Sequence, residues 1–185
     1  MRRTILVTVF GALTLAACVS TYNVSEDVRQ LSLGFTDPRW NGVTVPDGQQ
    51  CLRFGGREPG TPEIEVGGIP ATADALVVEY TDRSWGSVGW HGKIGFNIEP
   101  GTTTFVIPSV PGHSFDLPEG FFLIAEHRAP HWDVAGAYLP PCSGAGGLGN
   151  SYYATVKAIV KAKSEGKKPL LLAEDVIQMG NTSEH

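Results

Sequence analysis

Ala75-Leu76-Val77-Val78-Glu79-Tyr80-Thr81 is the most informative run in the chain. It is a short, nearly continuous apolar stretch rich in β-branched and aromatic residues, which reads as a strand buried on both faces. Four further runs share its character: Lys93 to Ile98, Thr102 to Ile107, Gly120 to Ala125 and Ser151 to Val160. Between them lie turn formers, drawn from 23 glycines and 13 prolines. Short strands separated by turn signals predict a mainly β, antiparallel, sandwich-like domain. The far end reads differently. Pro169 to Met179, closed by Gly180, places proline at the start and glycine at the stop of a helix-length segment with apolar periodicity. A C-terminal helix packed on the sheet is the expectation, which makes the class mainly β with an α element.

At the other end, Met1-Arg2-Arg3 precedes a mostly apolar stretch from Thr4 to Leu15, followed by Leu15-Ala16-Ala17-Cys18. A charged start, an apolar stretch of secretory length and small residues before a cysteine have the form of an export signal. The stretch is too short to span a bilayer as a helix, which takes about 20 residues. The Leu-Ala-Ala-Cys pattern resembles the lipobox of bacterial lipoproteins. That resemblance implies removal of residues 1–17 and acyl chains on Cys18. Val19 is not the aspartate that in many Gram-negative bacteria holds a lipoprotein at the inner membrane, so an outer-membrane anchor facing the periplasm is expected. Residues 18–34, polar and aperiodic at their start, read as a tether. Residues 35–180 form one domain, with 181–185 as a tail.

The chain carries a net charge of −5, which becomes −7 when Arg2 and Arg3 leave with the signal. An acidic chain without a long basic stripe is a poor nucleic-acid binder. The five lysines from Lys157 to Lys168 read as a solvated strand end and loop. With Cys18 acylated, Cys51 and Cys142 are left as an even pair in an oxidising compartment, so a disulfide is expected. Neither cysteine has a second cysteine or a histidine at ligand spacing, so no metal is expected. His127 and His131 are four apart but separated by Pro130. The glycine-rich segment 144–149 runs toward a predicted strand and lacks the helix N-terminus of a phosphate loop, so no nucleotide cofactor is expected. Trp85-Gly86-Ser87-Val88-Gly89 lacks the first glycine of a nucleophile elbow.

An ordered set of segments is more specific. Cys51 to Pro62 precedes Ile64-Glu65-Val66-Gly67-Gly68-Ile69-Pro70, then Leu76 to Asp82, then His91-Gly92-Lys93-Ile94-Gly95-Phe96-Asn97-Ile98. Tyr138-Leu139-Pro140-Pro141-Cys142 and Gly149 to Ala158 follow. In order and spacing this resembles the phosphatidylethanolamine-binding protein family, also called Raf kinase inhibitor-like. That family has an Asp-Pro-Asp-Ala-Pro motif after an apolar strand, a His-Trp strand, and a Gly-Pro-Cys-Pro-Pro segment leading to His-Arg-Tyr. The resemblance covers roughly residues 35–180 and implies the family fold. It places Asp82 on the first aspartate, His91 on the histidine of the His-Trp strand and Tyr152 on the final tyrosine. Asn150 stands in place of the family's second histidine and Ser151 in place of its arginine. Arg83-Ser84-Trp85 replaces Pro-Asp-Ala, Ser143-Gly144 replaces the paired prolines, and Gly92 replaces the tryptophan.

In the family these positions ring a cavity for small anions or a phospholipid head group. The implied ligand site is Asp82, His91, Tyr152 and Asn150, with a small anionic or polar ligand, or a partner protein, as the occupant. An aspartate beside an imidazole favours the protonated ring, which offers N–H donors to an anion. No catalytic residue is assigned on this reading. A hydrolase or transferase using His91 as base and Asp82 as its orienter is the alternative, and a structural lipoprotein with a vestigial pocket is a third possibility.

Overall fold

A computed structural model of the chain describes residues 21–84, 88–129, 133–142 and 150–182. The signal segment, Cys18, the region 85–87, His131 and the glycine-rich 144–149 lie outside them. The described residues form nine strands: β1 (Asn23–Gln30), β2 (Ser32–Phe35), β3 (Ile64–Gly67), β4 (Ala75–Asp82), β5 (Lys93–Asn97), β6 (Thr104–Ile107), β7 (Phe121–Ala125), β8 (Ser151–Val160) and β9 (Leu170–Asn181). A single 3-10 turn, Leu52–Phe54, is the one helical element among the described residues. Six strands build a large sheet in the order β1-β9-β8-β4-β5-β7, and β2-β3-β6 form a small one. The small sheet is antiparallel, whereas the large one is mixed because β1 runs parallel to β9.

β4 is the centre of this arrangement, as its sequence requires. Every one of its residues is buried, and it pairs with β5 on one side and β8 on the other. Leu76, Val78 and Tyr80 face the main core with Ile94, Ala154, Val156 and Ala158, against Ile64, Val66 and Ile107 of the small sheet. The core thus lies between the two sheets. Ala75 and Val77 face the opposite way, under Tyr22, Ile159 and Leu171. Burying a Val or Leu side chain stabilises by about 1.5–3 kcal/mol, so a run of this kind is held from both faces. Glu79 is the exception, a carboxylate on the outer face of a buried strand. It receives Lys157 Nζ at 2.6 Å and Lys93 Nζ at 3.2 Å, with the Tyr22 hydroxyl donating at 3.4 Å. A buried charge is tolerable when paired and hydrogen-bonded in this way.

Two expectations are corrected. The segment from Pro169 is not a helix but β9, paired antiparallel with β8 and parallel with β1. Its burial alternates: Leu171 and Ala173 are buried, Leu170 and Glu174 exposed. Gly180 is not a helix stop. Its φ is 114°, and a Cβ there would press on the Thr44 backbone, so glycine permits a close crossing of two chain segments. The second correction concerns residues 18–34. From Asn23 onward they are not a free tether, because β1 and β2 occupy them and join one to each sheet.

The disulfide is formed between Cys51 and Cys142, 91 residues apart in sequence. It ties the 3-10 turn to the segment before β8, where Cys51 N–H also donates to the Pro141 carbonyl.

Candidate functional site

One end of the large sheet gathers the residues singled out from the sequence. Asp82 closes β4 and stands directly across from Tyr152, near the start of β8. Asn150 immediately precedes β8, and His91 lies in the connection from β4 to β5. All four are buried. The fold therefore brings together the whole set, but their bonds differ from those expected.

The Asp82 carboxylate does not hold the imidazole. Its Oδ2 accepts from the Asn150 amide at 2.7 Å and its Oδ1 from the Ser84 N–H at 2.7 Å. The second bond is the short-range loop that an aspartate at a strand end commonly makes. His91 is fixed by its own backbone: its N–H donates to Tyr80 O and its carbonyl accepts from Leu139 N–H. Its Nδ1 lies 2.8 Å from the Leu139 carbonyl. A carbonyl can only accept, so Nδ1 carries the proton and Nε2 is the acceptor of a neutral ring. Burial pushes the His91 pKa below its ordinary value, and the charge of His127 adds to this. The Leu139 bond, the Asp82 charge and the nearby Pro140 carbonyl oppose the shift without overcoming it. The expected preference for the protonated ring is thus reversed, because desolvation outweighs a carboxylate engaged elsewhere.

Gly92, beside His91, is held by a close approach of two chain segments. Its φ is 116°, and a Cβ would collide with the Ala137 carbonyl oxygen. No larger residue fits beside His91 with this backbone.

Tyr138 joins the site, although no motif singles it out. Its ring packs on Tyr80 at 4.6 Å between centroids, and the His91 and Tyr152 rings meet edge-on at 5.3 Å. Burial raises the phenol pKa of Tyr80, Tyr138 and Tyr152, so all three are neutral hydroxyls. The Tyr152 hydroxyl faces the Asp82 and Asn150 side chains and the Cys142 backbone. Among the described residues, three buried side-chain atoms have no hydrogen-bond partner of acceptable geometry: Tyr138 Oη, Tyr152 Oη and Thr182 Oγ1. Tyr138 and Tyr152 are near enough to act on each other electrostatically, and the Thr182 backbone lies at the same end, since its N–H donates to the Asn150 carbonyl and Tyr152 pairs with Gly180. Buried polar atoms without partners are rare, and each costs about 1–3 kcal/mol, so three together call for an account.

The other two described histidines, His127 and His113, have partners of their own. His127 bonds the Val134 carbonyl through Nε2 at 2.9 Å, and His113 Nε2 lies 3.7 Å from the Asp133 carboxylate. Cys51, Cys142 and Asp133 come within 4.8 Å of one another, but both sulfurs are joined in the disulfide and cannot act as thiolate ligands. No family model and no curated protein matches the chain.

Proposed function

We propose that this chain is an exported lipoprotein, cleaved before Cys18 and acylated there, and held at the outer membrane facing the periplasm. Its folded body acts as a binding domain of the phosphatidylethanolamine-binding type, without catalytic chemistry. The support for export and acylation is the charged start, the apolar stretch and Leu15-Ala16-Ala17-Cys18. The support for binding is the set of buried hydroxyls without a well-aligned hydrogen bond, Tyr138 Oη, Tyr152 Oη and Thr182 Oγ1, at the end of the sheet that holds Asp82, His91 and Asn150.

The chemistry of this cluster narrows the ligand. It offers a carboxylate, a neutral imidazole with an acceptor nitrogen, and hydroxyls that donate or accept. Among the described residues no lysine or arginine forms an ion pair with Asp82. Such a site favours a small polar molecule bearing its own N–H or O–H donors over a simple anion. The base-and-orienter alternative loses support, because His91 Nδ1 turns to the Leu139 carbonyl and Asp82 to Asn150.

Calorimetric titration of the mature chain with ethanolamine, phosphoethanolamine, glycerol, phosphate and acetate tests this reading. Binding of the donor-bearing molecules with none for phosphate or acetate is expected. Heat from acetate and phosphate alone would contradict the ligand class, and no heat from any of them would overturn the binding role.

A further inference from the structure

We infer that the connection between β8 and β9, residues 161–169, is a membrane-docking surface that takes anionic phospholipid head groups of the leaflet holding the acyl chains. This rests on the acylation of Cys18 proposed above.

Position comes first. Asn23 N–H donates to the Pro169 carbonyl at 2.9 Å and its side-chain amide to the Lys168 carbonyl at 3.3 Å. One residue earlier, the Tyr22 ring lies under the Lys157 ammonium at 4.8 Å. The chain therefore enters the fold at the foot of this loop. From Tyr22 back to Cys18 the backbone reaches at most about 14 Å, so the acylated cysteine keeps the loop close to the lipid surface.

Charge comes second. Lys161, Lys163, Lys167 and Lys168 are all exposed, with Glu165 the one acid in the loop. Among the described residues none of the four forms an ion pair, although Lys161 Nζ donates to Asn97 Oδ1 at 2.7 Å. The neighbouring acids sit at the base of the loop or beyond it, not within it. Asp74 is half-buried and accepts the Lys161 N–H. Glu99 comes two residues after Asn97, the residue that Lys161 reaches, and Glu174 of β9 acts electrostatically on Tyr22, so both lie at the base of the loop, whereas Glu119 precedes β7, three strands beyond β8. Glu26 lies further up β1, about 10 Å from Asn23. A chain of net charge −7 is repelled by anionic lipid as a whole, so a local excess of positive charge at the anchored end sets which end meets the surface.

The ligand cluster lies at the other end. Tyr152 is the second residue and Val160 the last of the ten-residue β8, about 27 Å apart at a strand's rise. Val160 pairs with Leu170, and Leu170 with Asn23. Docking through the lysine loop stands the domain upright and turns Asp82, His91 and Tyr152 toward the aqueous space, away from head groups of the anchoring leaflet.

The test uses the mature protein purified from its own membrane and reconstituted into vesicles of phosphatidylcholine alone or mixed with phosphatidylglycerol. Amine-reactive labelling is then read lysine by lysine by mass spectrometry. Labelling of Lys161, Lys163, Lys167 and Lys168 is expected to fall several-fold in the mixed vesicles and to recover in high salt. Equal labelling in both vesicles on a chain whose intact mass shows acyl groups on Cys18 overturns this inference alone. An intact mass without acyl groups overturns the lipoprotein reading and this inference with it.

Discussion

The Asn150 side-chain amide donates to the Asp82 carboxylate at 2.7 Å, across a sequence separation of 68 residues. This bond joins the end of β4 to the residue preceding β8 and leaves the His91 ring free of the carboxylate. It also sets the chemical character of the site. An amide satisfies the carboxylate without adding charge, whereas a second histidine there would add a titrating group.

Replacing Asn150 by Ala removes one of two partners from a buried carboxylate. Hydrogen bonds to charged groups contribute about 1.5–3 kcal/mol, and Asn150→Ala is expected to lose that much stability. Urea unfolding with an unchanged m-value is the measurement. A loss within a few tenths of a kcal/mol would mean that the bond does not hold in solution.

Burial lowers the pKa of both His91 and His127 from the ordinary 6.5. The unfolded chain therefore takes up these protons first as pH falls. Stability contributed by the two neutral rings is full above about pH 6.5 and is lost as pH falls below it toward the lowered folded values. Unfolding free energies across pH 8 to about 5 should decline in that direction, and His91→Gln should flatten the decline. A wild-type curve that rises toward acid would contradict the neutral assignment. Ligand affinity that uses the Nε2 acceptor follows the same sign, holding as pH rises and weakening in acid.

Much of the frame was legible in the sequence, and the exceptions have physical causes. The β4 and β8 runs are buried on both sides, so their composition alone marked them. β1 was hidden because it is an edge strand, largely exposed, whose polar residues face water while its backbone pairs with β9. β9 was misread because Leu170 to Met179 suits either period, and what decides between them is pairing on both sides by distant segments. In the site, the identities of Asp82, His91, Asn150 and Tyr152 were visible, but the direction of their hydrogen bonds was not. That direction depends on the Leu139 carbonyl, which local patterning cannot place beside His91. Tyr138 had no signal beyond being an aromatic residue before two prolines.

The Cys51–Cys142 bridge closes a long loop, for which chain entropy gives about 4–5 kcal/mol. It also anchors the segment that carries the Leu139 carbonyl and the Cys142 backbone against the site. A Cys51→Ser, Cys142→Ser double variant should unfold at lower urea and bind ligand more weakly even where it remains folded. Two reactive thiols in the unfolded, unreduced wild-type protein would show that the bridge is absent.

The claim on which the account turns is that the Tyr138 and Tyr152 hydroxyls are left for a ligand. Removing a buried hydroxyl without a well-aligned partner costs little, so the Tyr138→Phe, Tyr152→Phe double variant should stay within about 1 kcal/mol of wild type. The direct measurement is an NMR titration of both proteins with the donor-bearing molecules, following the His91 ring. The account predicts shifts at His91 in wild type, with affinity reduced at least about tenfold, the equivalent of about 1.4 kcal/mol, in the variant. Equal shifts and equal affinity in the two proteins would contradict it.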